Sequence, residues 1–500
     1  MLNEKYKQFK SGTDIRGVAV EGVEGQSVNL TDEVIQKMAD GFVLWLSKKL
    51  GKSPDRLKIS VGRDSRISGP HIMELTTERF KAAGAEVLCC GLASTPSMFM
   101  TTVELGCDGA LQITASHHPF NRNGLKFFTR GGGLEGSDIE ATLEYAQNGE
   151  APEPKDGGSI TDVDYMSDYA KGLCDKIKKE VNADDYDHPL KGFHIVVDAG
   201  NGAGGFYADK VLSVLGADTS GSRYLEPDGM FPNHVPNPED AEAMASVCEA
   251  VRGNNADLGV IFDTDVDRGG AVDSKGNEIN RNRLVAVAAA IALEGNDGGT
   301  IVTDSITSSG LKEFIENKLG GKHYRYRRGY KNVIDKAVEL NAAGINCPLA
   351  IETSGHAAMR ENYFLDDGAY LCTKIIIKAA QLRAQGRDLS DLTADLKEPL
   401  ESVEVRFKIT EKDFRACGER IIADLTKYAE ARPGWKLADD NREGVRVSFD
   451  KENGDGWFLL RLSVHDPIMP LNIESDSKGG TDVIYAKLTE FLKTTEGLDI

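Results

Sequence analysis

The chain of 500 residues repeats one alternation of apolar and polar segments three times. Each copy has a short apolar run, a polar turn, a helical stretch and a glycine stop; the runs are Leu57–Val61, His194–Val197 and Thr300–Thr303. This order is typical of a βαβ unit with parallel strands. We therefore expect three similar units. The alternative is an accidental repetition, since βαβ patterns are common.

Each copy contains one further apolar run that leads into a loop with reactive side chains. The three pairs of run and loop are Ala110–Ile113 with Thr114–Pro119, Leu258–Phe262 with Asp263–Arg268, and Leu349–Ile351 with Glu352–His356. In open parallel sheets, ligands bind beyond the carboxyl ends of the strands. The three loops are therefore expected to line one common cleft.

The pattern changes after Leu389, where strands and helices follow in a different order. The predicted strands are Val403–Ile409, Val445–Phe449 and Phe458–Val464, and the predicted helices are Asp413–Ala429 and Asp482–Lys493. The predicted fold class is α/β, with three similar mixed-sheet βαβ domains, a smaller α+β C-terminal domain and a cleft at the centre. The expected domain boundaries are 1–157, 158–275, 276–395 and 396–500.

Composition narrows the range of partners. The net charge of -20 favours solubility and disfavours binding to nucleic-acid phosphates. The basic stretch Lys322–Arg328 is short, so it fits small phosphates better than nucleic acid. The longest apolar run, Leu284–Leu293, predicts a buried helix because it is too short to cross a bilayer. Without a secretory pattern or a CxxC pair, the sequence predicts a cytoplasmic protein with reduced cysteines, bound to neither nucleic acid nor membrane.

Asp263, Asp265 and Asp267 alternate directly after an apolar strand. In an extended loop, residues i, i+2 and i+4 face the same side, so the three carboxylates would converge on one point. A hard cation would remove their mutual repulsion, and oxygen ligands suit Mg²⁺ or Ca²⁺. Arg268 either forms a salt bridge with these carboxylates or binds a phosphate that the cation also contacts.

Three other interpretations of the aspartate loop are weaker. An EF-hand would need Gly at the position of Arg268 and Glu at the position of Ser274. A phosphotransferase of the haloacid-dehalogenase type would have Thr or Val where Asp267 stands. A solvated acidic turn is the plainest alternative, but here an apolar strand leads directly into the loop.

Ser116 lies in a loop together with His117, His118 and Pro119. It could be an ordinary turn residue, but no apolar helix follows it, and Lys126 lies on the next predicted strand. The chain has neither the G-x-S-x-G elbow of a serine hydrolase nor a P-loop. A serine that carries phosphate beside a divalent cation would instead form a phosphoryl-transfer site.

Taken together, the loops resemble the signature loops of the α-D-phosphohexomutases. The segments that carry the resemblance are Gly12–Gly17, Thr114–Pro119, Asn123–Lys126, Asp228–His234, Asp263–Arg268 and Glu352–His356. They occur in the family's order and extend over essentially the whole chain. The form of the last loop is closest to phosphomannomutase/phosphoglucomutase enzymes. The resemblance also implies four domains, the first three of which share one topology.

This resemblance implies an intramolecular phosphotransferase that interconverts hexose 1-phosphate and hexose 6-phosphate, with mannose or glucose as the sugar. Ser116 would carry the phosphate and bind one Mg²⁺ together with Asp263, Asp265 and Asp267. A bisphosphosugar would be the intermediate, and hexose 1,6-bisphosphate would act as activator. The candidates for proton transfer are Arg16, Lys126 and His356.

The resemblance further implies a set of substrate-binding residues: His117, Arg268, Lys331, Glu352, Ser354, Arg461 and Ser463. Glu352 and Ser354 match positions that recognise sugar hydroxyls, although Glu352 could instead form a salt bridge with a nearby Arg. Arg461 and Ser463 match the start of a phosphate clamp. The sequence departs from the family at Val464 and His465, where Asn or Gly followed by Thr is usual. It also departs mildly at His118 and Tyr330.

Two other functions stay open at this point. A phosphoglucosamine mutase would have closely related loops, and the sequence does not distinguish glucose, mannose and glucosamine. A sugar-phosphate-binding protein without catalysis is the second alternative. The presence of Ser116, the three aspartates and Lys126 argues against it, because a degenerate site would not need the full set.

Overall fold

The computed structural model describes residues 1–463 and 466–500 of the chain. The chain divides into two compact units, each assembled from several stretches. The first consists of Met1–Asn280, Ser354–Ala357 and Leu365–Leu389, and the second of Arg281–Thr353, Ala358–Phe364 and Ser390–Ile500. Within the described ranges, no helix has the length and apolar character that a bilayer span requires. All eight cysteines are free thiols.

The first unit begins with an eight-stranded mixed sheet. Its strands are β1 (Lys10–Ser11), β2 (Asp14–Val18), β3 (Lys58–Arg63), β4 (Glu86–Leu92), β5 (Gly109–Ile113), β6 (Arg122–Thr129), β7 (Gly132–Gly133) and β8 (Ser159–Asp162). Their order is β1-β2-β6-β5-β3-β4-β8, and β7 pairs with β6. As the first repeat predicts, β3 is parallel to β4 and β5, whereas β6 is antiparallel to β5. The sheet extends through β8, beyond the boundary expected at residue 157.

Six helices accompany this sheet in the chain: α1 (Glu4–Lys7), α2 (Asp32–Leu50), α3 (Gly69–Ala82), α4 (Thr95–Glu104), α5 (Gly136–Asn148) and α6 (Tyr165–Val181). α2 begins after the capping residue Thr31 and ends at Gly51, whose φ of 64° is left-handed and suits glycine. In the apolar core, Phe42 of α2 stacks on Phe127 of β6 at a centroid distance of 4.2 Å. This packing holds β6, and with it Lys126, in a fixed position.

A second, four-stranded sheet completes the first unit. It comprises β9 (Ile195–Asp198), β10 (Leu258–Phe262), β11 (Gly269–Val272) and β12 (Glu278–Ile279), and helix α7 (Ala241–Asn254) packs against it. β10 is parallel to β9 and antiparallel to β11, in the order β12-β11-β10-β9. The helical stretch predicted in the second repeat is a π-helical segment, Tyr207–Leu212. The hairpin between β10 and β11 carries the aspartate loop.

The second unit contains the third predicted repeat. Its elements include α8 (Arg281–Leu293), β13 (Thr300–Thr303), α9 (Ser309–Glu313), a π-helical segment (Phe314–Lys318), β14 (Lys322–Arg325), α10 (Tyr330–Ala342) and β15 (Leu349–Ile351). β13 is parallel to both β14 and β15. The buried helix predicted at Leu284–Leu293 is confirmed as α8. The short strand β16 (Ala357–Met359) follows. The next elements, β17 (Leu365–Asp366) and α11 (Gly368–Ala384), belong to the first unit.

The last part of the second unit is the α+β domain that the sequence predicts. It comprises β18 (Glu401–Ile409), α12 (Phe414–Glu430), β19 (Lys436–Leu437), β20 (Val445–Phe449), β21 (Gly456–Leu460), β22 (Ile468–Ser475), α13 (Gly480–Leu492) and β23 (Leu498–Asp499). The antiparallel sheet has the order β19-β20-β21-β22-β18-β23. The strand predicted at Phe458–Val464 ends at Leu460, and Val464 lies outside the described residues. Single 3₁₀ turns occur at Pro54–Arg56, Arg360–Asn362, Leu389–Thr393 and Lys451–Asn453.

These sheets and helices confirm the predicted α/β class with mixed sheets and a different C-terminal part. The domain boundaries expected at residues 157, 275 and 395 stay predictions.

Candidate active site

Ser116 is held in a strained and buried position directly after β5. Its φ is 50°, a left-handed value that is uncommon for a residue with a side chain. The Ser116 amide donates to Thr114 Oγ1 at 2.9 Å, which fixes the turn. The Ser116 hydroxyl donates to Asp263 Oδ2 at 3.1 Å. The serine loop and the aspartate loop, which are far apart in the sequence, therefore meet at the serine oxygen.

The aspartate loop is a tight turn and not the extended loop in which alternate residues would face one side. Val266 has a φ of 69°, and the amide of Asp263 donates to the carbonyl of Arg268 at 3.4 Å. The turn still brings the carboxylates of Asp263, Asp265 and Asp267 together, with one oxygen of each within 4.8 Å of the others. The convergence was correctly predicted, although the hairpin between β10 and β11 produces it.

The three carboxylates differ in their ease of ionisation. Burial raises the pKa of Asp263 well above its usual range, and the charges of Asp267 and Asp265 raise it further. Burial and the charge of Asp267 raise the pKa of Asp265 from 3.8 to about 6. Burial also acts to raise the pKa of Asp267, but Lys126 and other cations outweigh it, so this pKa is lowered. Asp267 is therefore the most readily ionised member of the cluster.

Different neighbours fix each carboxylate. Lys126 Nζ donates to Asp267 Oδ2 at 2.7 Å, and this lysine is itself buried on β6. The hydroxyl of Thr95, at the start of α4, donates to Asp265 Oδ2. The backbone amide of Arg268 donates to Asp263 Oδ1 at 3.2 Å. The cluster is thus rigidly held by groups from both sheets of the first unit.

The cluster fits a hard divalent cation. Two buried oxygens, Asp265 Oδ1 and Asp267 Oδ1, have no hydrogen-bond partner among the described residues. Buried carboxylate oxygens that lack a partner cost free energy unless a cation accompanies them. A purely oxygen-donating set suits Mg²⁺, which prefers carboxylates and water. Asp263, Asp265 and Asp267 are therefore the residues that could hold the metal.

His356, Asp267 and Asp366 form a second cluster of side chains that could bind a metal ion. Its Nδ1 lies 2.6 Å from Asp366 Oδ2, and its Nε2 lies 2.9 Å from Arg268 Nε. Because the Arg268 nitrogen can only donate, His356 Nε2 accepts, and the ring proton is on Nδ1. Burial lowers the pKa of His356, but Asp366 and Asp267 raise it above its usual value. Protonation of Nε2 would break the bond to Arg268, because both nitrogens would then be donors.

Arg16 and His117 lie at the same end of the first sheet. Arg16 on β2 is in register with Gly124 of β6, and its guanidinium pairs with Asp14 at 2.8 Å. His117 Nδ1 lies 3.3 Å from Ser116 Oγ. Burial and then the charge of Arg268 lower the pKa of His117 to about 2, so this side chain is neutral. His117 is therefore suited to hydrogen bonding and not to carrying charge.

The remaining predicted residues have well-defined local environments. Glu352 is buried, and its Oε1 accepts from the Gly329 amide at 2.6 Å. Ser354 is buried in the first unit, and its hydroxyl has no hydrogen-bond partner among the described residues. Lys331 Nζ pairs with Asp335 at 2.9 Å on the helix α10.

The predicted phosphate clamp lies at the end of β21. Arg461 is buried, and burial lowers the pKa of its guanidinium although the charge of Glu443 opposes this change. Ser463 Oγ accepts from the Asp466 amide at 3.3 Å. The departures at Val464 and His465 lie outside the described residues.

Three residues that contribute to the site are not predicted from the sequence: Arg66, Thr95 and Asp366. Arg66 belongs to a polar turn after β3, and nothing in that turn indicates that its guanidinium contacts the serine loop. Thr95 reaches Asp265 across 170 positions of the chain, and short-range spacing carries no signal for such a contact. Asp366 lies ten positions after His356 in an Asp-Asp pair, which was the one available hint.

A buried serine that donates to three carboxylates able to hold a cation is the arrangement of a metal-assisted phosphoryl-transfer enzyme. The phosphoglucomutase/phosphomannomutase α/β/α domain models I, II and III match residues 8–152, 169–276 and 280–399. These matches cover most of the chain and follow the predicted order of the repeats. The chain belongs to the phosphoglucomutase/phosphomannomutase family, as the resemblance of its loops predicted.

Individual relatives agree with this assignment. The chain is 30% identical over 463 residues to a phosphomannomutase/phosphoglucomutase from Pseudomonas syringae pv. tomato, covering 91% of this chain and 92% of the relative. It is 28% identical to a phosphoglucomutase from Neisseria meningitidis, covering 96% of each. A solved phosphoglucomutase/phosphomannomutase family protein from Burkholderia thailandensis is 25% identical, with a TM-score of 0.78 over 99% of this chain and 98% of that one.

Proposed function

We propose that this protein is a phosphohexomutase that interconverts hexose 1-phosphate and hexose 6-phosphate, with mannose and glucose as the sugars. The observation that carries the proposal is the hydrogen bond from Ser116 Oγ to Asp263 at 3.1 Å, within a buried cluster of three carboxylates. A serine hydrolase needs a base that takes the proton of its hydroxyl. His117 Nδ1 lies 3.3 Å from Ser116 Oγ, but the lowered pKa of His117 makes it a poor base. A cation site beside a serine fits an oxygen that carries a phosphoryl group.

In the proposed reaction, the phosphoryl group leaves Ser116 Oγ for the free hydroxyl oxygen of a hexose monophosphate. The bond to the serine oxygen breaks, the bond to the sugar oxygen forms, and a hexose 1,6-bisphosphate results. The sugar then presents its other phosphate, which returns to Ser116 and leaves the isomeric monophosphate. The same bisphosphate, supplied from solution, would activate an enzyme whose serine is unphosphorylated.

One Mg²⁺ per site would be held by Asp263, Asp265, Asp267 and the phosphate on Ser116. When bound, the cation would neutralise the charge on the transferring group, which is the main requirement of phosphoryl transfer. Arg268, beside Asp263, would add a guanidinium that matches the geometry of phosphate oxygens.

Proton transfer is assigned to Lys126, Arg16 and His356. The sugar hydroxyl must lose a proton as it attacks, and Ser116 Oγ must gain one as it leaves. Lys126 carries protons that it could donate, and its Nζ lies 2.7 Å from Asp267 Oδ2. His356 holds its proton on Nδ1 against Asp366, so its Nε2 is the atom that would receive one.

Substrate recognition is assigned to a further set of residues. Glu352 and Ser354 would bind adjacent sugar hydroxyls, and His117 and Lys331 would contact the substrate as well. Arg461 and Ser463 would hold the phosphate that is not reacting, because a mutase must retain that group at either end of the sugar. The hydroxyl of Ser354, which lacks a partner among the described residues, is consistent with a ligand contact.

The experiment combines mass spectrometry with a substrate panel. Protein treated with glucose 1,6-bisphosphate and Mg²⁺ should gain one phosphate on Ser116, and it should interconvert the 1- and 6-phosphates of glucose and mannose. Ser116→Ala should lose both properties, while Ser53→Ala, at an exposed serine of the first unit, should keep them. Activity without any phosphoserine would refute the mechanism.

The same panel separates the alternatives. Faster turnover of glucosamine phosphates than of glucose or mannose phosphates would identify a phosphoglucosamine mutase. Binding of hexose phosphates without any interconversion would identify a sugar-phosphate-binding protein. Glu352→Ala with full activity would refute the sugar-binding role of Glu352.

A further inference from the structure

The guanidinium of Arg66 hydrogen-bonds the backbone of the serine loop at several points. This side chain is completely buried in the first unit. It donates to four backbone carbonyls of one loop: those of Ser116, His118 (2.6 Å), Pro119 (2.7 Å) and Arg122 (2.8 Å). A planar guanidinium with several fixed donors can hold four carbonyls at set angles, which a lysine ammonium cannot do. The path of the chain around Ser116 is therefore fixed by one side chain.

A second chain of contacts fixes Ser116 from the opposite side. Asp64 Oδ2 lies 3.2 Å from Arg66 Nε and accepts from Thr114 Oγ1 at 2.7 Å. The same Thr114 hydroxyl accepts from the Ser116 amide at 2.9 Å. Arg66 and Asp64 thus hold both the amide and the carbonyl of Ser116, which accounts for its left-handed φ of 50°.

The segment Asp228–His234, which we term the strap, is part of the connection between β9 and α7 and packs against Arg66. The centroid of the Phe231 ring lies 5.2 Å from the guanidinium carbon, as in a cation–π contact. The backbone of Gly229 lies even closer to the turn that contains Arg66. A Cβ at Gly229 would lie 2.4 Å from the amide nitrogen of Ile67 and 2.7 Å from Arg66 Cα. Since these are backbone atoms, a larger residue would force the strap and the Arg66 turn apart.

The other side of the strap is tied to the end of β9. The amide of Asp228 donates to the Asn201 carbonyl at 2.9 Å, and Asn233 Nδ2 donates to Asn201 Oδ1 at 2.7 Å. His234 Nε2 lies 3.0 Å from Asp198 Oδ1. The strap is therefore a rigid connection from the second sheet, which carries the aspartate loop, to the turn that holds the serine loop.

We propose that Arg66 is a positioning residue for Ser116, and that the strap sets its position through Gly229 and Phe231. The inference rests on the proposed phosphoserine function. Displacement of a reacting atom by about 1 Å lowers the rate on the order of 100-fold. The strap would keep the serine oxygen in register with the carboxylates, because it ties the serine-loop turn to the sheet from which those carboxylates project.

The test uses strap variants, which leave the buried Arg66–Asp64 pair in place. Gly229→Ala should push the strap away from the Arg66 turn, and Phe231→Leu should remove the aromatic face but keep an apolar side chain. Phe231→Tyr keeps the ring and should behave as the unchanged protein. Gly253→Ala is the matched control, since a Cβ there meets nothing within 4 Å.

Three quantities are measured for each variant: kcat and KM for the mutase reaction, the rate of Ser116 phosphorylation by glucose 1,6-bisphosphate, and amide hydrogen exchange in the peptide 114–123. Gly229→Ala should lower kcat and the phosphorylation rate in parallel, on the order of 10- to 100-fold. KM should change little, because the strap is not among the substrate-binding residues. Exchange in the peptide 114–123 should become faster.

Unchanged exchange in that peptide, or unchanged kcat despite faster exchange, would overturn the proposal. Faster exchange throughout the first unit together with a lower thermal midpoint would also overturn it, because the strap would then serve general stability alone. If the parent protein never gains phosphate on Ser116, the proposed function fails instead. The exchange comparison still decides in that case whether the strap holds the serine loop.

Discussion

The replacement of Asp265 by Asn tests the electrostatics of the cation site most directly. The Asp265 side chain is buried, accepts from the Thr95 hydroxyl through Oδ2, and has no partner on Oδ1 among the described residues. Asparagine has the same shape and keeps an oxygen that can accept from Thr95. The substitution therefore removes one negative charge with little change in packing.

The magnitude follows from the pKa of Asp265, which burial and the charge of Asp267 raise from 3.8 to about 6. A raised folded-state pKa means that stability is fully present below the unfolded value and is lost as the pH rises through about 6. For this carboxyl, the loss is about 3 kcal/mol at pH 8. Because asparagine does not ionise, the Asp265→Asn variant escapes this loss. Without metal, the variant should be the more stable protein by about this amount at pH 8.

The assay is thermal unfolding in EDTA and in excess Mg²⁺, at about pH 5 and about pH 8. In EDTA at the higher pH, Asp265→Asn should unfold several degrees above wild type, and at the lower pH the difference should shrink. Bound Mg²⁺ stabilises the protein that binds it by about 2.7 kcal/mol at a hundredfold excess over Kd. Wild type should therefore gain stability from Mg²⁺, whereas the variant, which has lost one ligand, should gain much less.

Asp184→Asn, at an exposed aspartate of the first unit, should leave both the pH dependence and the effect of Mg²⁺ unchanged. The reasoning is refuted if Asp265→Asn is no more stable than wild type in EDTA at the higher pH. It is equally refuted if the variant gains as much stability from Mg²⁺ as wild type does.

Three further predictions concern other parts of the first unit. Phe42→Ala removes a fully buried ring that stacks on Phe127, and denaturant unfolding should show a loss of about 3–5 kcal/mol. Thr95→Val removes the donor to Asp265, and a titration of the thermal midpoint with Mg²⁺ should show about tenfold weaker binding. Burial lowers the pKa of His234, but Asp198 raises it above 6.5. The protonated His234 therefore contributes stability that is present below pH 6.5 and is lost as the pH rises through the raised pKa. His234→Gln should flatten this part of the pH dependence of the thermal midpoint.

Much of the fold could be predicted because apolar runs bounded by polar turns are a local signal. The strand β10 has the predicted bounds, Leu258–Phe262, and β15 has the predicted bounds Leu349–Ile351. The helical stretch predicted in the second repeat is π-helical at Tyr207–Leu212. Periodicity indicates that a segment is helical, but it does not distinguish i→i+4 from i→i+5 hydrogen bonding.

The site was predicted less completely because its geometry depends on distant contacts and on unusual backbone angles. The spacing of the three aspartates correctly predicted that they converge. They converge through a tight turn and not through an extended loop, because Val266 adopts a φ of 69° that no local pattern indicates. Arg66 was missed because its partners are carbonyls about fifty positions later in the chain, and carbonyls leave no trace in the sequence.

The separate partners of the aspartates also determine how a cation enters the site. Lys126 lowers the pKa of Asp267, whereas burial and like charge raise the pKa of Asp263 and Asp265, so these two carboxyls keep their protons to a higher pH. A metal ligand must be deprotonated, so a cation that binds all three carboxylates displaces those protons. Cation binding would then be coupled to proton release, and the affinity would rise with pH. Because Ser116 Oγ donates to Asp263, the same event changes the hydrogen bonding of the serine that is proposed to carry the phosphate.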